Sequence, residues 1–201
     1  MDVTPEKISY VFIKFKEGDE DAFSFFYKYF INDMYAYGRS LGADEKQVMD
    51  AVQDVFLKVF FDRPHLSSVE HFKYFLLKSL KNRLYDLFKS KSYATTTDIS
   101  GEGLNFSIKT TVLDEMIEDE DRMIIQQKIE KLLSVLSSSQ KEALYLRYIQ
   151  ELEYVEISAM MGKSEVAIRK LVSQAIHTIR KENKILPMLV FIRFLYNGFN
   201  L

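Results

Sequence analysis

The chain has 201 residues, of which 47% are hydrophobic, with 7 Gly, 3 Pro, no Cys and a formal net charge of −2. It is long enough for one large or two small domains, each able to bury a core. So few Gly and Pro argue against a strand-and-turn architecture, and the lack of Cys excludes a disulfide framework, a thiolate metal site and a thiol nucleophile.

The expected fold class is all-α: two small helical domains joined by an acidic linker, the second containing a helix-turn-helix. Charge supports that division. Residues 1–92 balance cations and acids, residues 93–121 carry −7 and residues 122–201 carry +5, so an acidic middle hides a basic C-terminal part. The predicted boundaries are 1–92, a linker at 93–121, a second domain at 122–184 and an apolar extension at 185–201. The N-terminus has acids ahead of its apolar residues and lacks a basic segment before an apolar core, so no signal peptide is expected and a cytoplasmic location fits.

In chain order, Asp19 or Asp21 can cap a helix in which Phe23, Phe26, Tyr27, Phe30, Met34 and Tyr37 recur at helical spacing. Gly42 closes it. Asp44 starts the next helix, with Val48, Val52, Val55 and Val59 inward. Its other face carries Asp50, Gln53, Asp54, Leu57, Lys58 and Phe61, and a polar face interrupted by Leu and Phe invites a partner.

Pro64 ends that helix, and Ser67 with Glu70 has the spacing of a capping box for a long third helix. Phe72, Phe75, Leu76, Leu80, Leu84, Leu87 and Phe88 are expected inward. Tyr74, Lys78, Lys81 and Tyr85 fall at i, i+4, i+7 and i+11, with Lys73, Arg83 and Lys89 close by. Cations for a phosphate backbone interleaved with rings on which bases stack is the chemistry of single-strand binding.

Residues 93–121, rich in Thr, Ser, Gly and acid, read as a solvated tether. Helix is expected again from Arg122 to Leu136, and Ser139 with Glu142 has capping-box spacing for the helix that follows.

The stretch from Tyr154 to Arg180 predicts a helix-turn-helix. Ile157, Met160 and Met161 form one apolar face, Gly162 permits the left-handed turn, and Ser164 is placed to cap the second helix. There Ile168, Leu171, Val172, Ala175, Ile176 and Ile179 point inward, leaving Glu165, Arg169, Lys170, Ser173 and His177 outside. A second helix presenting polar and cationic side chains from its first turns suits a major groove. The tail from Ile185 to Leu201 is apolar but broken by Pro187 and Arg193, so a helix docking on the protein or a partner is expected ahead of a membrane association.

Taken together, the segments resemble the extracytoplasmic-function type of bacterial RNA polymerase sigma factor, over roughly residues 8–91 and 122–182. Asp50–Phe60 resembles the segment that grips the largest polymerase subunit, His71–Lys91 the helix that engages the minus-ten element, and Leu136–Lys181 the domain that reads the minus-thirty-five element. The resemblance implies that Asp50, Gln53, Asp54 and Lys58 contact core RNA polymerase. It implies that Lys73, Tyr74, Lys78, Lys81, Asn82, Arg83 and Lys89 meet the minus-ten strand, and that the loop from Arg63 to Ser68 lies where the family captures a flipped base. Ser164, Glu165, Arg169, Lys170 and Ser173 would face the minus-thirty-five duplex.

Core polymerase, promoter DNA and an anti-sigma factor are the partners so implied, with no cofactor, no metal and no small-molecule substrate. The chain departs from the family pattern at Ser137, where a Pro is frequent, at Glu151, where a Gly is frequent, at Phe60, where a Trp is frequent, and at Lys163, Leu171 and Gln174.

Two other classes stand beside this reading: a helix-turn-helix regulator acting without polymerase, and a sigma-like interaction protein that no longer reads promoters. An enzyme is not expected, because three scattered His and no Cys assemble no catalytic site, and Gly162-Lys163-Ser164 lacks the earlier Gly and the strand of a phosphate loop.

Overall fold

The computed structural model describes residues 4–62, 65–95, 106–108 and 130–182, with backbone alone at 91–95 and 182. The described residues are helical, with turns and short extended links and no strand. The chain divides into two compact units, 1–104 and 105–201.

In the first unit, α1 (Pro5–Glu17) is capped by the Thr4 hydroxyl and α2 (Glu20–Ser40) by the Asp19 carboxylate, which accepts from the Ala22 N–H at 2.8 Å. Of the two candidate caps, Asp19 takes the position. Helix α3 (Glu45–Asp62) starts with a reciprocal pair: the Gln47 N–H donates to Asp44 at 2.8 Å and the Asp44 N–H to Gln47 at 3.0 Å. Helix α4 spans Val69–Thr95.

The helices enclose an aromatic core centred on Phe72 of α4, fully buried, with ring centroids of Phe12, Phe15, Phe26 and Phe30 between 4.7 and 6.3 Å away. Rings in stacked, tilted and edge-on pairs at these separations add about 0.5–1.5 kcal/mol each beyond the area they bury. The four valines expected inward in α3, Val48, Val52, Val55 and Val59, are all buried, at 0–5% exposure. Gly38 of α2 lets these helices close: a Cβ there would meet both methyls of Val48 at 2.8 and 2.9 Å.

The second unit holds a helical stretch at 130–134, α5 (Ser138–Tyr148), α6 (Tyr154–Met161) and α7 (Glu165–Glu182). Helix α5 packs on α6 and α7, and α6 on α7. Gly162 ends α6 at φ 62°, and the Ser164 hydroxyl accepts from the Ala167 N–H at 3.2 Å, as the sequence predicts.

Three expectations need correction. The cap of α4 is Ser68, not Ser67: its hydroxyl accepts the His71 N–H at 3.2 Å and also holds the Glu70 carboxyl below the usual carboxylate range, while Ser67 binds the His71 ring at 3.0 Å. The capping box of α5 is Ser137 with Gln140, not Ser139 with Glu142, and Glu142 is buried at 8% exposure. Within the stretch read as a tether, Phe106 is 1% exposed, its ring 5.4 Å from that of Tyr145 and its N–H donated to the Ser138 hydroxyl at 2.8 Å. The helix expected from Arg122 is described only from residue 130, and the rest of 93–121 and the apolar tail lie outside the described residues.

Candidate nucleic-acid interface

On α3, Asp50, Gln53, Asp54 and Lys58 are all exposed, and Leu57 and Phe61 stand out among them at 53% and 74% exposure. Helical spacing puts these side chains on the face opposite Val48, Val52, Val55 and Val59. Two exposed apolar side chains one turn apart, set among charges, are more apolar surface than a hydrated helix face needs.

On α4 the predicted residues fall into two groups. Tyr74, Lys78, Lys81, Tyr85 and Lys89 follow one another at i, i+4, i+7, i+11 and i+15, so they share a stripe, with Asn82 at its side. The Lys78 ammonium donates to the Tyr74 hydroxyl at 3.0 Å and lies 5.4 Å from the ring centroid, while the His71 ring stacks on Tyr74 at 6.1 Å. Lys73 and Arg83 lie off this stripe. Lys73 reaches Asp33 of α2 at 3.6 Å, and Arg83 reaches Asp54 of α3 at 2.7 Å. The side chains grouped by sequence as one set thus serve two faces.

The loop before α4 closes a cleft of about 240 Å³ lined by Phe15, Phe23, Phe60, His65 and Leu66, with Lys16 and Asp19 at its wall. Three aromatic rings and two charged groups around a space of that size suit a planar, polar-edged ring. Phe60 packs edge-on against Phe23 at 4.9 Å.

In the helix-turn-helix, Arg169 of α7 is held from two sides. Its guanidinium pairs with Glu165 one turn earlier and stacks on the Tyr154 ring of α6 at 4.1 Å, and Arg147 of α5 lies 4.8 Å from the same ring. Arg147 in turn donates to the Leu152 carbonyl at 2.8 Å and to Glu153 at 3.3 Å. Two cations on one tyrosine tie all three helices together and restrict the rotamers of Arg169. Lys170, Ser173 and Ser164 are exposed, as is Lys163 in the turn. Val166 is the most exposed large apolar side chain described, at 77%. Its spacing to Arg169 and Lys170, i+3 and i+4, is the signal that places it with them.

Among the described residues no group of His, Asp or Glu is arranged to hold a metal ion, and no helix is long and apolar enough to cross a membrane.

Residues 26–93 match the sigma-70 region 2 family and residues 132–181 the sigma-70 region 4 family, so that the two regions together take up more than half of the chain. The chain is 24% identical over 153 residues to the ECF RNA polymerase sigma factor SigM of Bacillus subtilis, covering 74% of this chain and 87% of that protein. The fold is similar to that of the sigma factor RpoE of Bartonella quintana, solved in complex with the anti-sigma factor NepR. There the TM-score is 0.54 and the identity 22%, over 78% of this chain and 93% of the other.

Proposed function

This chain belongs to the sigma-70 family of RNA polymerase sigma factors, of the extracytoplasmic-function type, and on that premise we propose how its side chains divide the work of initiation. As a sigma factor it binds core polymerase and promoter DNA and directs promoter-specific transcription initiation. A regulator acting without polymerase leaves the region 2 match unexplained.

The domain that binds core polymerase and opens the promoter is residues 1–92, and the domain that reads the upstream duplex is 122–184. Asp50, Gln53, Asp54 and Lys58 of α3 contact core polymerase, with Leu57 and Phe61 supplying the apolar part of the contact. The stripe Tyr74, Lys78, Lys81, Tyr85 and Lys89, with Asn82, meets the unpaired minus-ten strand. Lys73 and Arg83 act from its edges, since each is also paired with a carboxylate of a neighbouring helix. Ser164, Glu165, Arg169, Lys170 and Ser173 face the minus-thirty-five duplex. The aromatic cleft beside the loop to α4 takes a base that has left the stack.

Opening is driven by binding energy. Unstacking a base costs a few kcal/mol, and stacking on side chains returns about 1–3 kcal/mol per base. No catalytic residue and no cofactor takes part, and the protein works in the cytoplasm, where core polymerase is. An anti-sigma factor is a further partner, supported by the similarity in fold to a sigma factor solved with one and by the exposed Leu57 and Phe61.

The observation that carries the melting role is the stripe on α4, which intersperses two rings among three cations along 16 residues, away from the buried face of the same helix. Permanganate, which oxidises unstacked thymines, tests it. Holoenzyme formed with this chain should render thymines near position minus ten reactive without any nucleotide, and a promoter that stays unreactive while bound would contradict the role.

A further inference from the structure

Val166 is the second residue of α7 and is 77% exposed, an unusual place for a β-branched apolar side chain in a helix that buries Ile168, Val172, Ala175 and Ile179 and leaves no other large apolar residue fully exposed. An isolated exposed valine needs no explanation, but this one lies within a stripe. Val166, Arg169, Lys170 and Ser173 stand at i, i+3, i+4 and i+7, all exposed, so one face of the first two turns presents a methyl pair, two cations and a hydroxyl.

The neighbours fix what that face can meet. Arg169 is held by Glu165 and by the Tyr154 ring, so the valine is not covered by a freely folding guanidinium. In a major groove the cations take phosphates and acceptor edges, and the one apolar group a base pair offers there is the C5-methyl of thymine.

We propose that Val166 is a specificity-determining residue that packs its γ-methyls on a thymine methyl in the upstream promoter element. This rests on the reading that α7 lies in the major groove of that element. The valine accepts A·T pairs of one orientation and is indifferent to phosphate position, whereas Lys170 binds without regard to sequence.

The test uses holoenzyme and a duplex promoter in which each thymine of the upstream element is replaced in turn by deoxyuridine, which pairs identically but lacks the methyl. At one or two positions the substitution should weaken closed-complex formation by the wild type about fourfold, the effect of one methyl group returned to water. Val166→Ala should bind thymine and deoxyuridine promoters alike. The exposed site and the good helix propensity of Ala keep this variant folded.

A wild type indifferent to deoxyuridine at every position, or a methyl dependence undiminished in Val166→Ala, overturns the proposal. Lys170→Ala tells which claim has failed. If it weakens binding to all promoters and flattens the salt dependence while the deoxyuridine scan is flat, α7 is in the groove and only the role of Val166 falls. If it too has no effect, the placement of α7 in the groove falls with it.

Discussion

Arg83 reaches from α4 to Asp54 on α3, its Nη2 2.7 Å and its Nε 2.8 Å from one carboxylate oxygen. The ion pair therefore joins a residue assigned to core polymerase with a residue assigned to the minus-ten strand. Both side chains are nearly half exposed, at 45% and 48%, so the pair is worth no more than about 1 kcal/mol to the fold.

Reversing that charge separates binding from stability. Asp54→Arg should lower affinity for core polymerase at least about tenfold, roughly 1.4 kcal/mol, with the helical content unchanged by circular dichroism. Adding Arg83→Asp rebuilds the bridge in reverse and should not restore the affinity. Recovery in the double variant would mean that the pair matters only for holding α3 against α4.

The split of the α4 residues predicts different kinetic effects. Lys78→Ala combined with Lys81→Ala should slow promoter opening about tenfold or more while closed-complex formation falls less, because the stripe meets the strand only once it is unpaired. Arg83→Ala should slow opening less than the lysine pair does, because its guanidinium is also paired with Asp54. Stopped-flow fluorescence from a base analogue in the minus-ten element reads both steps, and equal losses at both steps for the lysine pair would count against a melting role.

Gly38 is required by close approach. A Cβ would sit under 3 Å from both methyls of Val48, a β-branched side chain with little rotamer freedom. Gly38→Ala should therefore destabilise the first unit by about 1–3 kcal/mol despite the better helix propensity of Ala. Chemical denaturation measures this, and a gain in stability would show that α2 and α3 can separate without loss.

Glu151 gives the opposite sign. It sits between α5 and α6 at φ 57°, the left-handed region where a Cβ is unfavourable by roughly 1–2 kcal/mol. It is also the position where the family often has Gly. Glu151→Gly should stabilise the second unit by about 0.5–1 kcal/mol, the relief of strain less the greater freedom of Gly when unfolded. A loss of stability would mean that the Glu151 side chain itself holds the turn.

Much of this architecture was legible in the sequence because its helices are strongly periodic: Phe26, Phe30, Met34 and Tyr37, and Ile168, Val172, Ala175 and Ile179, are buried as their spacing requires. Capping signals are ambiguous where serines run together. Ser67-Ser68 and Ser137-Ser138-Ser139 offer the same hydroxyl in adjacent registers, so local spacing alone does not choose between them.

Phe106 carries no sequence signal, because one apolar residue in a polar stretch has no period and its anchor, Tyr145, is distant in sequence. Nearness along the chain groups Arg83 with the lysines, while the helix turns it toward Asp54, a partner 29 residues away.

The central claim, that the chain starts transcription at defined promoters, is tested most directly by run-off transcription with core polymerase from its own host on fragments of the host genome. Discrete start sites that appear only with the protein, and that share an upstream and a downstream element, are the predicted result. Stable binding to core polymerase without any specific transcript would contradict it.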